Sequence, residues 1–334
     1  MNAKNIAILM VLLVMASCER EFQPYLPGKT VPVVYGMISP EDTVLNILLE
    51  KSFIGKGSAF DMAQRADSLF FDSVGAWLEL RHLNGLLVQR RELKWVEGPV
   101  QNVGIFNRRP NWVLAISADD FNMGFEYNDP APYGYVTLTI HCHDINQDLV
   151  AITPLIRKPL ITSPRNKNPF PIPLYSEEPF EFAWEKDSVY YEASIVFSYE
   201  LIRDNKREIK EVQIKYIFKP ERKTPYKSAG IQVQGEPLLI KIKNLIRDFR
   251  PDDVRRFQSL DFYLYSADPA LYYYMKTLSS DLDIDLGTFT NIENGLGIFV
   301  LARKTSIKGF TLDYRSLDSL RNSRFTKHLN FVAW

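Results

Sequence analysis

Tyr133-Gly134-Tyr135-Val136-Thr137-Leu138-Thr139-Ile140-His141-Cys142-His143 is the stretch on which the fold turns. Val136, Leu138, Ile140 and Cys142 alternate with Tyr135, Thr137, Thr139, His141 and His143, the period of two that sends successive side chains to opposite faces of a strand. Toward the N-terminus, Trp112 to Ile116, Leu86 to Trp95, Ala76 to His82, Thr43 to Leu49 and Val31 to Ile38 are further short β-rich runs. Clusters of Gly, Pro and Asn/Asp separate them, which is the pattern of a β-sandwich. Pro32 suits a strand start or an edge strand. Asn84-Gly85, between two runs, predicts a hairpin with a type I′ turn, whose two central residues both need positive φ. Residues 59–70 interrupt the pattern as a short helix or a loop.

Toward the C-terminus, Pro154, Pro159, Pro164, Pro169, Pro171, Pro173 and Pro179 crowd a stretch that reads as a semi-rigid linker over 154–179. Beyond it, Phe180 to Trp184 and Tyr190 to Leu201 read as strands in a fibronectin type III-like arrangement. Residues 209–219, 231–243 and 259–266 continue the β pattern. The period then changes: Asp268 is a cap, Pro269 fits the first helical position, and Leu271, Tyr274, Met275 and Leu278 recur at helical spacing, predicting a helix near 269–279. The fold class expected is therefore mainly β. Two β-sandwich domains, immunoglobulin/fibronectin type III-like, occupy 31–153 and 180–334, with one or two short helices in the C-terminal half.

Composition agrees with a folded body. The 334 residues hold 40 basic and 40 acidic side chains, a balance that excludes a global electrostatic role such as coating nucleic acid. With 46% hydrophobic and 13% aromatic residues the chain can build a sizeable core, and its length fits two domains at roughly 100–200 residues each.

At the N-terminus, Lys4 precedes the apolar run Ile6 to Met15, which is shorter than the about 20 residues that span a bilayer. With Ala16 and Ser17 it reads as a secretory signal over 1–17. Met15-Ala16-Ser17-Cys18 resembles the lipobox of bacterial lipoproteins, which implies lipidation of Cys18 and a membrane partner through that lipid. Each buried methylene would contribute ~0.8 kcal/mol. Residues 18–30 then form a tether, and with Cys18 acylated Cys142 is the remaining free thiol.

Few residues nominate chemistry. His141 and His143 share one strand face and are candidate metal ligands, but a closed site needs further ligands, while Cys142 falls on the apolar face. Asp281, Asp283 and Asp285 offer oxygen ligands, yet Leu286 and Ile292 stand where a calcium-binding EF-hand loop needs Gly and Glu. Residues 203–227 carry nine Lys/Arg against four Asp/Glu, either a solvated hairpin face or a surface for an anionic partner. No hydrolase, P-loop, zinc-protease or dinucleotide motif occurs, so neither a catalytic residue nor a cofactor is expected.

Phe289-Thr290-Asn291-Ile292-Glu293-Asn294-Gly295-Leu296-Gly297-Ile298-Phe299 resembles the closing motif of a Bacteroidota lipoprotein family, domain of unknown function 4249. An early Val33-Val34-Tyr35-Gly36 strand and the tyrosine-rich helix from Leu271 to Leu278 fit the same family. In the motif, Gly295 and Gly297 offer backbone freedom, Asn291 and Asn294 satisfy turn groups, and Ile292 and Phe299 supply apolar contacts. The chain departs from the family in its basic hairpin and in running on past Phe299, where residues 316–329 have amphipathic character. The resemblance implies an outer-membrane-anchored, non-catalytic lipoprotein, on the periplasmic or cell-surface side, that binds a ligand or serves as accessory to a TonB-dependent receptor. Two other classes stay open: a cell-envelope hydrolase or metal-dependent enzyme, and a structural or adhesive surface protein whose edge strands accept a partner.

Overall fold

A computed structural model describes residues 30–52, 66–100, 110–123, 134–165, 168, 170–175, 179–185, 189–218, 228–278 and 289–332. The leader, Cys18, nearly all of the tether, and Asp281, Asp283 and Asp285 lie outside the described residues. The chain is mainly β, and its sheets pack face to face around two apolar cores.

The first core lies between two sheets. One contains β1 (Pro32–Ile38), β2 (Val44–Lys51), β5 (Lys94–Val100) and β6 (Pro110–Ser117). The other contains β3 (Val74–His82), β4 (Leu87–Glu92), β7 (Gly134–Cys142) and β8 (Gln147–Pro154). Alternation does what the sequence indicates: Val136, Leu138, Ile140 and Cys142 of β7 face Val34, Ile38, Leu45, Ile47 and Leu49 across the sandwich. The run from Leu86 to Trp95 is not one strand. It divides at the buried Leu93, where the chain passes from β4 in one sheet to β5 in the other. The expected type I′ turn is also corrected. Gly85 N–H donates to His82 O at 2.8 Å and His82 N–H to Leu86 O at 3.0 Å, and of the loop residues only Gly85 has positive φ. Residues 83–85 thus form a three-residue loop with a glycine bulge. Of residues 59–70, Ala66–Leu69 form the short helix α1.

The proline-rich stretch is more than a linker. It contributes β9 (Ile161–Ser163) and β10 (Pro171–Ile172), each short because proline withholds a ladder donor. β9 pairs with β11 (Phe180–Glu185), which pairs with β14 (Ser228–Val233) in a three-stranded sheet. That sheet covers the second core, opposite the long strands β12 (Tyr190–Arg203), β13 (Lys206–Phe218) and β15 (Val254–Ala267). Phe182, stacked on Phe262 with centroids 4.2 Å apart, and the fully buried Trp184 mark its centre.

Residues 235–245 correct the expectation of a strand over 231–243. β14 ends at Val233 and Gly235–Leu245 form helix α2. Ile240-Lys241-Ile242-Lys243 alternates like a strand, but Leu238, Leu239 and Ile242 also share one helical face, and that face is buried against the second core. Two further helices follow, α3 (Pro269–Leu278) and α4 (Tyr314–Asn322), so three rather than one or two lie in the C-terminal half. Asp268 Oδ1 accepts from Ala270 N–H at 2.9 Å at the start of α3, and Asp313 Oδ1 accepts from Ser316 N–H at 2.8 Å at the start of α4.

The two cores share one strand. β16 (Ile292–Glu293) pairs with β8 and so joins the five-stranded sheet of the first sandwich. β17 (Leu296–Leu312) then runs for 17 residues: Leu296 to Leu301 pair in parallel with β1, and Ala302 to Phe310 pair antiparallel with β15. One nine-stranded sheet results, in the order β13-β12-β15-β17-β1-β2-β6-β5, with β10 alongside β17. Residues 292–301, placed by the sequence reading in the C-terminal domain, complete the N-terminal sandwich.

The extension past Phe299 ends in a clasp. Arg255 is fully buried; its Nη1 donates to Leu329 O at 2.8 Å and its Nη2 to Asp253 Oδ2 at 2.9 Å. Asp253 also accepts from Arg203 Nε at 2.7 Å, Arg203 Nη2 at 2.8 Å and Arg250 N–H at 2.8 Å. Asn330 Nδ2 donates to Asp253 O, and Leu329 and Phe331 enter the second core. Among the described residues no helix is long and apolar enough to cross a membrane.

Candidate binding face

The three segments that carry the family resemblance meet in space. Val33 to Ile38 pair with Leu296 to Leu301, and α3 lies on the outer side of β17, where Tyr274 packs on Ile298 and Val300 in a small third core. Thr153 ties the junction: its Oγ1 donates to Asp268 Oδ2 at 3.2 Å and accepts from Leu301 N–H at 2.9 Å.

The two asparagines of the motif have structural tasks. Asn291 acts as a substitute strand, its Nδ2 donating to Phe299 O at 2.7 Å and its Oδ1 accepting from Phe299 N–H at 2.9 Å. Asn294 takes a left-handed φ of 60° at the corner between the sheets, donates through Nδ2 to Asp148 O at 3.0 Å, and accepts at its carbonyl from Gln147 Nε2. Gly297 has φ 103°, and a Cβ there would stand 2.0 Å from Val34 O, so no other residue fits. Gly36 leaves room for the fully buried Phe299 ring, since a Cβ would lie 2.8 Å from it. Ile292 is buried in the first core, and Gly295 turns close to Pro32 O.

What this scaffold holds outward is apolar and aromatic. Tyr35 and Met37 project from the outer face of β1, the face on which Tyr274 of α3 meets Tyr35, and Leu296 of β17 and Tyr273 and Met275 of α3 are exposed as well. Their exposures run from 37% for Leu296 to 60% for Met37. The rings are braced: Tyr35 meets Tyr274 edge to face at 6.4 Å, and Tyr273 lies 5.9 Å from Phe289. Burial, with a hydrogen bond to Tyr35 adding to it, pushes the Tyr274 phenol well above its ordinary pKa, so it stays neutral. Rigid aromatic and Met side chains held at the surface are the composition of protein-binding patches. The sequence singled out the motif and the helix, but Tyr35 and Met37 as surface contacts were missed, because alternation in an early strand does not say which face stays uncovered.

The candidate metal ligands behave differently. His141 and His143 do lie together, ring centroids 4.5 Å apart, on the face away from the core. His141 Nδ1 is 2.6 Å from Asp148 Oδ1, its direct cross-strand neighbour, which occupies one ring nitrogen. Among the described residues no group of three or more His, Cys, Asp or Glu is placed to hold a metal. Cys142 points the other way into the core, and burial pushes its thiol up to about 12. Of the basic stretch, Arg203 pairs with Asp248 and Asp253, Arg207 with Glu200, Lys210 with Glu208 and Lys215 with Glu192, while Lys219, Arg222, Lys223 and Lys227 lie outside the described residues. A separate open groove of about 740 Å³ lies along β5 and β6, with Arg91 and Lys94 facing Glu97 and Asp120 among its lining residues.

No protein-family model and no curated protein matches the chain. Among solved structures, a biofilm-associated protein BSP domain aligns over 84% of this chain at 12% identity with a TM-score of 0.17. The C-terminal globular domain of an oligosaccharyltransferase from Pyrococcus abyssi aligns over 85% at 9% identity with a TM-score of 0.18. The aligned regions cover 29% and 50% of those two chains.

Proposed function

We propose that this chain is a non-catalytic lipoprotein of the domain of unknown function 4249 family, anchored to a bacterial outer membrane by lipid on Cys18. It uses the face built by β1, β17 and α3 to bind a partner protein, a TonB-dependent receptor to which it is accessory. The observation that carries the reading is the exposure of Tyr35, Met37, Tyr273, Met275 and Leu296 on two paired strands and the helix packed on them. The convergence of three sequence-distant family-like segments on that face supports the family assignment.

The test is isolation of the tagged protein from gently solubilised outer membranes after cross-linking, with the co-purifying proteins identified by mass spectrometry. A receptor in stoichiometric amount is expected with the native chain, and its loss is expected for Met37→Asp and Tyr273→Asp. Recovery of the native chain alone would reject the receptor reading, and undiminished receptor with both variants would reject this face. Cys18→Ser is expected to abolish lipid labelling; labelling that persisted would remove the anchor from the proposal.

A further inference from the structure

β13 ends the nine-stranded sheet, and among the described residues no strand pairs with its outer edge. Asp204 and Asn205, at φ 51° and 60°, make the two-residue turn before it, and Arg203 pairs with Lys206 across that turn. In a hairpin with such a turn the closing pair is hydrogen-bonded, so the ladder to β12 alternates through Lys206, Glu208, Lys210 and Val212. Arg207, Ile209, Glu211 and Gln213 therefore direct their N–H and C=O groups outward, an open template for another strand. The far end is flanked by α2, with Lys241 Nζ 4.0 Å from the centre of the Tyr216 ring. In the half nearer the turn, Ile209 is 58% exposed.

The charges along that half are complementary to themselves. When the strand is laid antiparallel against a copy of itself with Ile209 opposite Ile209, Arg207 faces the copy's Glu211 and Glu208 faces the copy's Lys210. The two-fold axis repeats both contacts, and no like charges meet. Sliding the register by two residues in either direction, the smallest slip that keeps the same faces together, sets Glu208 against Glu208 or Lys210 against Lys210. The faces also match: positions 207, 209 and 211 lie on the outer face of the sheet, while Val212, Ile214 and Tyr216 lie on the core side. The residues that meet as hydrogen-bonded pairs in this register are those whose backbone groups point away from β12 and have no strand partner among the described residues.

We infer that β13 is a homodimer interface, at which two copies of this chain pair antiparallel about a two-fold axis through Ile209 and merge their nine-stranded sheets into one. The occupant is a second copy because one strand supplies both halves of the complementary pattern, as an isologous contact requires. The Lys210–Glu208 ion pair already present at 2.6 Å becomes half of a four-charge cluster on the axis. This inference stands apart from the receptor reading, which uses another face.

Sedimentation of the full chain in mild detergent tests it. The native chain is expected to sediment as a dimer. Glu208→Lys and Lys210→Glu each place like charges opposite one another twice, and each is expected to raise the dimer dissociation constant roughly tenfold or more. The double variant Glu208→Lys/Lys210→Glu restores opposite charges and is expected to return to the native dimer, a rescue that a mere folding defect would not give. Ile209→Pro removes an outward N–H without touching the β12 ladder and is expected to yield monomers with native circular dichroism. A native chain that is monomeric, single variants that dimerise as well as the native chain, or a double variant that stays monomeric would overturn the inference.

Discussion

Gly297 and Asn291 show what single residues do in the closing motif. Gly297→Ala forces a Cβ onto Val34 O at a backbone angle that side chains avoid, and a loss of about 2–4 kcal/mol in urea unfolding is expected. Asn291→Leu keeps the bulk but leaves Phe299 N–H and O without their partner, and about 1–3 kcal/mol should be lost. Cys142 gives a second kind of test. With its thiol pushed up to about 12 by burial, with Asp144 and Asp148 adding, it is neutral and enclosed at pH 7. Alkylation of Cys142 is expected to require unfolding, and rapid labelling of the native protein would contradict the packing of β7. Its inward side was legible from alternation alone. The tasks of Asn291 and Asn294 were not, because their partners Phe299 and Asp148 are fixed by a crossing between sheets that no local pattern announces.

β17 is the element on which the architecture depends. Phe299→Ala removes a fully buried ring from the first core and is expected to cost about 3–5 kcal/mol. Because the same strand continues into the second sheet, the expected calorimetric trace is one transition shifted as a whole rather than one peak of two. The clasp on the C-terminal segment answers to pH. Arg203 first, then the Arg250 N–H and Arg255, hold the Asp253 carboxyl well below its ordinary value of 3.8. Its contribution is complete above that ordinary value and is lost as pH falls through it toward the depressed folded value. Amide protection of residues 327–332 is therefore expected to fall in acid, and Asp253→Asn should remove that step along with the stability it reflects. Strands with clean alternation, such as β7 and β15, the β-rich run that became β12, and the capped helix α3 were readable in advance. The helix α2 was not, since the Leu238 to Lys243 pattern satisfies both periods and its buried face is chosen by the second core. The strands β9 and β10 were hidden by prolines that argue for a linker yet still leave carbonyls free to accept.

At the scale of the whole molecule, the expected pair of sandwiches is present as two cores, but a common sheet passes through both. That sharing was invisible in sequence because the pairing of β1 with β17 joins segments at opposite ends of the chain. It also sets an order of events. A chain made from its N-terminus lays down β1 early, pairs it with β2 on one side, and then must hold the other side vacant until residues 296–301 exist. Contacts so distant in sequence close late, after the local hairpins that fold quickly. The unit made first is thus the unit finished last, and until residues 296–301 are made it presents an unpaired parallel edge open to a wrong strand.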